Sequence, residues 1–176
     1  MAALTTDQAE ALKPFDGREP LAIFRTLAQA PRALTAFLAW GGYILSRRNS
    51  LPPREREIVV LRIGFLCRSG YEFAQHRRIG LEHGLTAAEI DAVKAGADAS
   101  TWSEADAALI RACDELHRDQ FVGEATWAEL ARHFDEKQRM DLVFTAGQYT
   151  QVSMMLNTFG VQLETPADLD PDLDAR

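Results

Sequence analysis

Apolar residues recur along this chain at intervals of three and four, and turn residues cut that pattern into short blocks. After a polar lead over residues 1–19, Pro20 opens a run in which Leu21, Phe24, Leu27 and Ala28 share one helical face. Pro31 ends that run and starts the next, residues 31–48. Here Leu34, Phe37, Leu38, Ile44 and Leu45 keep the period, while Gly41 and Gly42 either weaken the helix or admit a close neighbour. Trp40 and Tyr43 fall in this stretch and are expected in the core. Asn49 or Ser50 is placed to cap the following helix, whose first turn suits Pro52 and Pro53 because a missing N–H costs nothing there. Ile58, Val59, Val60, Leu61, Ile63, Phe65 and Leu66 then make that helix apolar on nearly every side, as in a helix enclosed within a domain or between subunits. A β-strand competes for such a β-branched run, but no partner strand is legible elsewhere.

The second half is punctuated more sharply. Ser69 and Gly70 break the chain, with Ser69 as the expected cap of a helix from Tyr71 that His83 and Gly84 stop. Thr86 with Glu89 forms a capping box for a short helix closed by Gly96. Ser103 with Asp106 starts another, whose Leu109, Ile110, Cys113 and Leu116 share a face, so Cys113 is expected as a core residue. Residues 123–134 place Trp127, Leu130, Ala131 and Phe134 on one side. A last long helix from about Asp135 carries Met140, Val143, Phe144, Met154, Met155 and Phe159, with Ala146 and Gly147 suggesting close packing. Residues 164–176 are acidic and proline-punctuated, and are expected to be a mobile tail. Every block reads helical. The prediction is an all-α single domain over residues 20–163.

Composition narrows the function. A chain of 176 residues with 47% hydrophobic content is enough for one buried core. Its net charge of -7 and pI near 5.1 disfavour nucleic acid and anionic membrane surfaces as partners. Cys67 and Cys113 are too few and too far apart for a disulfide framework or a metal site, so no metal or cofactor is expected. With no apolar run of signal or membrane-span length, a cytoplasmic location is expected.

The candidate chemistry lies between Glu57 and His76. Glu57 is in register with Val60, Leu61 and Gly64, so its carboxylate points to the apolar side of its helix, where burial favours acid–base work. A solvated first-turn glutamate paired with an arginine is the alternative. Glu72 and His76 stand one helical turn apart, so the carboxylate can fix the imidazole tautomer, as a proton shuttle requires. An ordinary surface pair has the same spacing.

The series Glu57, Ser69, Glu72 and His76, with Tyr71 and Glu72 in a Tyr-Glu-x-x-x-His string, resembles the core motif of the carboxymuconolactone decarboxylase and alkylhydroperoxidase D (AhpD) superfamily over residues 51–96. The resemblance implies an AhpD-like helical bundle and a homo-oligomer. In the peroxidase branch the motif has cysteines where Ser69 and Glu72 stand here, so thiol chemistry at those positions is lost. It therefore implies the decarboxylase-like branch: a lyase acting on a small carboxylated lactone or related metabolite. Glu57, Glu72 and His76 would relay the proton, Ser69 and Tyr71 would support by hydrogen bonding, and Arg62 or Arg68 would hold a substrate carboxylate. Two alternatives stand beside it: a peroxidase acting through Cys67, and a non-catalytic oligomeric protein that binds a metabolite.

Overall fold

The computed structural model describes residues 4–173. Within them nine α-helices follow one another without a strand: α1 (Thr6–Leu12), α2 (Ala22–Leu27), α3 (Pro31–Ile44), α4 (Pro53–Leu66), α5 (Gly70–Glu82), α6 (Ala87–Ala95), α7 (Glu104–Asp119), α8 (Glu124–His133) and α9 (Glu136–Phe159). Single 3-10 turns occupy Lys13–Phe15 and Pro166–Asp168. The expected all-α class holds. No helix among the described residues is long and apolar enough to cross a membrane.

Helix α4 is the axis of the fold, packed against α5, α6, α7 and α9. Its apolar circumference has that consequence: every residue from Arg56 to Gly64 is buried. Val59, Val60 and Ile63 join α7, α8 and α9 in one cluster, while Ile58 and Leu61 join Phe73, Ile90, Val93 and Ile110 in another. At about 1.5–3 kcal/mol for each large apolar side chain removed from water, these contacts supply much of what offsets chain entropy. A third cluster seats α1, α2 and α3 against Tyr71 and the end of α9.

Local signals set most boundaries. Thr86 and Glu89 close the expected capping box on α6, and Ser103 Oγ accepts from Asp106 N at the start of α7. Asp135 with Gln138 makes a capping box for α9.

Several expectations are corrected. The polar lead contains α1, capped by Thr5 and docked through Ala11. Pro52 is the N-cap of α4, because Ser50 donates its N–H and Oγ–H to Asp141 Oδ2 at 2.6 and 2.7 Å and Asn49 Oδ1 accepts from Leu51 N at 3.0 Å. Trp40 is 42% exposed, and Tyr43 is half-buried with its hydroxyl donating to Asp141 Oδ1 at 2.6 Å. A Cβ added at Gly41, Gly42 or Gly147 would meet nothing within 4 Å, so none of these glycines admits a close neighbour within the chain.

Residues 164–173, expected to be mobile, are anchored. Glu164 accepts from Ala22 N at 2.7 Å, Tyr71 Oη at 3.0 Å and Gln75 Nε2 at 2.9 Å. Lys94 Nζ holds Asp170 and Asp172 at 2.9 and 2.8 Å, and Leu173 completes the cluster around Phe73. Residues 174–176 of the expected tail lie outside the described residues.

Candidate active site

The turn between α4 and α5 decides how the two helices face each other. Ser69 N donates to Gly64 O and Arg68 N to Phe65 O, both at 2.9 Å, with Arg68 left-handed at φ 53°. This is a Schellman stop with arginine where glycine is usual. The expected break at Ser69 and Gly70 therefore falls one residue earlier, and Gly70 opens α5. The turn folds α5 back along α4, so that Glu57 lies beside Gly80, where an added Cβ would sit 3.8 Å from Glu57 Cβ.

Three of the residues expected from the sequence meet here. His76 Nδ1 lies 2.5 Å from Glu57 Oε2 and His76 Nε2 lies 3.0 Å from Glu72 Oε1. Glu57 is fully buried, and Glu72 and His76 are each 5% exposed. The imidazole and the Tyr149 ring of α9 meet edge to face, centroids 4.9 Å apart at 81°. Burial alone would lower the His76 pKa, but the charges and hydrogen bonds of Glu57 and then Glu72 push it up to about 10. At neutral pH His76 is an imidazolium donating to both carboxylates. The expected Glu72 pairing takes one ring nitrogen, and Glu57 engages the other as well.

The other expected residues take different places. Ser69 is fully buried, its Oγ makes no hydrogen bond, and it does not cap α5 with its side chain. Tyr71 turns to Glu164, and burial followed by that carboxylate pushes its phenol upward. Cys67 is half-buried, with Sγ 3.8 Å from His117 Nδ1, and burial pushes its thiol up against a smaller opposing effect of Ser153 and Thr150. Arg62 is committed within the fold: Nε donates to Asp114 Oδ1 at 2.6 Å and Nη1 to the Val93 and Lys94 carbonyls at 2.7 and 3.1 Å. It does not reach the His76 site as a substrate-binding group. Arg68 is exposed on the turn.

Sequence reasoning missed Tyr149 and Arg56. Tyr149 falls in a polar run, and the signal that could have found it is its core-facing spacing with Leu142 and Val152. Burial, then Glu72 and Glu57, raise its phenol well above the usual range, while Arg56 pulls the other way. Of the buried side-chain atoms without a hydrogen-bond partner among the described residues, Arg56 Nε and Glu57 Oε1 lie on α4, Arg139 Nε, Gln148 Oε1 and Ser153 Oγ on α9, and Ser69 Oγ in the turn before α5. A separate group of Glu104, Glu129 and His133 has ligand-like proximity, but Arg132 already sits 2.5 Å from Glu129 and 4.0 Å from Glu104.

The model of the carboxymuconolactone decarboxylase family matches residues 31–115, a span containing α3 to the greater part of α7 and all of Glu57, Glu72 and His76. Over those residues the chain is similar to the carboxymuconolactone decarboxylase family. A comparison with curated proteins gave no match. Solved structures share the fold. An uncharacterized peroxidase-related protein with an alkylhydroperoxidase AhpD core, from Ralstonia eutropha JMP134, is 19% identical over 93% of this chain and 91% of its own, with a TM-score of 0.79. A protein of unknown function from Agrobacterium tumefaciens, described as a putative antioxidant defence protein AhpD, is 16% identical over 80% and 96%, with a TM-score of 0.74. The debrominase Bmp8, solved as a cysteine-to-alanine variant in complex with 2,3,4-tribromopyrrole, is 16% identical over 96% and 95%, with a TM-score of 0.76. At these identities the likeness concerns the fold, which is AhpD-like and helical.

Proposed function

We propose that this carboxymuconolactone decarboxylase-like protein is a cytoplasmic acid–base lyase that removes CO2 from a small carboxylated lactone or related carboxylated metabolite. The observation carrying this reading is the clasp of His76 between Glu57 and Glu72 at 2.5 and 3.0 Å. In the proposed step the bond between the carboxylate carbon and its neighbour breaks, CO2 leaves, and the electron pair delocalises into the adjacent carbonyl. The carbon then takes a proton delivered from His76 through Glu72, and solvent restores the imidazolium. Glu57 anchors the ring from its fully buried side and keeps the cation stable while it waits.

The experiment is CO2 release from a panel of carboxylated lactones and β-keto acids. His76→Gln, which cannot carry the proton, is expected to lower turnover by about 10²–10⁴-fold. A wild type inert across the panel removes the lyase reading.

A peroxidase through Cys67 is the second reading, favoured by the His117 contact at 3.8 Å. Against it, burial disfavours the Cys67 thiolate, and Cys113, fully buried in the α4/α7/α9 cluster, is no resolving thiol. Peroxide consumption with a thiol reductant, lost in Cys67→Ser, would restore it. The reading also includes a homo-oligomer, because Met140, Phe144 and Met154 on α9 and Trp40 on α3 form an exposed apolar face.

A further inference from the structure

Helix α4 carries three arginines whose side chains leave bulk water, and the chain pairs two of them fully. Arg54 reaches Asp106 at 2.8 Å and Glu89 at 2.5 Å; Arg62 reaches Asp114 at 2.6 Å and two backbone carbonyls. Arg56 is the exception. It is 5% exposed, its Nη1 makes one long bond to the Ser46 carbonyl at 3.4 Å, and its Nε has no acceptor. Among the described residues no carboxylate pairs with it. A buried guanidinium without a counter-charge is costly, which makes Arg56 the arginine of α4 open to an incoming anion.

Its location says which anion. Arg56 directly precedes Glu57 on α4, Glu57 holds His76 Nδ1 at 2.5 Å, and the His76 ring packs against Tyr149 at 4.9 Å; the charge of Arg56 is also felt at the Tyr149 phenol. The unpartnered oxygens of Glu57, Gln148 and Ser153 lie on the same two helices, α4 and α9. We infer that Arg56 holds a carboxylate of the substrate beside Tyr149, the task that Arg62 is too committed to perform. The planar fork of a guanidinium suits a carboxylate with two parallel bonds. The ligand class is a small carboxylate-bearing metabolite, and the inference rests on the acid–base reading only for calling that ligand the substrate.

Thermal unfolding tests it, with succinate and benzoate as probes and uncharged succinamide as the control. At tenfold excess over Kd at least one carboxylate is expected to raise the wild-type Tm by about 3–6 °C and succinamide to leave it unchanged. Arg56→Met is expected to lose that response while its unliganded Tm stays level or rises, because the change removes an uncompensated buried charge. A purely structural arginine gives the opposite sign, a fall in unliganded Tm. Should Arg56→Met not fold, Arg56→Lys keeps the charge without the fork, and a response needing at least about tenfold more carboxylate supports the inference. A wild type indifferent to both carboxylates, or an Arg56 variant that responds as wild type does, overturns it. The carboxylate response is read in the wild type without turnover, so a lyase assay that fails leaves the anion site standing, and the two claims fail separately.

Discussion

His76 is a buried cation because two carboxylates outweigh its burial, and that arrangement makes folding depend on pH. Its pKa rises from an ordinary 6.5 to about 10, so its contribution to stability is full below 6.5 and is lost as pH climbs through about 10. Urea midpoints are therefore expected to fall between those values for the wild type, and this His76 contribution to the decline should vanish in His76→Gln. Equal slopes in the two proteins would mean that His76 does not carry the charge. The pairing of Glu72 with His76 was legible because four residues on a helix bring side chains together. The engagement of Nδ1 was not, since Glu57 lies 19 residues away and meets the ring only when α5 folds back on α4. Tyr71 shows the reverse: its motif neighbours suggested a site role, and tertiary contact with Glu164 took its hydroxyl elsewhere.

At the scale of elements, capping residues and apolar period fixed what each segment becomes, and contact between segments fixed what its polar residues do. The Thr86 and Glu89 box and the apolar surround of α4 are local features and were readable as such. Arg62 was not, because its acceptors come from α6 and α7. Gly96, at φ 95°, leaves room for that side chain: a Cβ there would sit 3.3 Å from Arg62 Nη2. Arg62→Met is expected to destabilise the fold by about 2–3 kcal/mol, near the low end for a broken enclosed pair because Asp114 keeps contact with water. Its KM in the decarboxylation assay should stay at the wild-type value. A large rise in KM without loss of stability would return Arg62 to the substrate site.

For the whole molecule, the longest helix has two unlike faces. Leu142, Ala146, Tyr149, Val152 and Leu156 face the core, whereas Met140, Phe144 and Met154 are exposed along with Gly147. On a chain of net charge -7 such a face asks for cover. Light scattering is expected to give a mass that is a multiple of 19.6 kDa, with Phe144→Lys shifted toward the single chain and its circular dichroism unchanged. A wild type of 19.6 kDa at micromolar concentration would end the homo-oligomer reading. The sequence by itself determined the all-helical class, the central place of α4 and the family motif, because period, caps and composition act within a few residues of chain. The tertiary structure alone decided that His76 is held on both sides, that Arg62 is spent within the fold while Arg56 is left unpaired, and that residues 164–173 are tied down. Each of those depends on which distant groups share a low-dielectric interior, where a charge must find its partner across the fold.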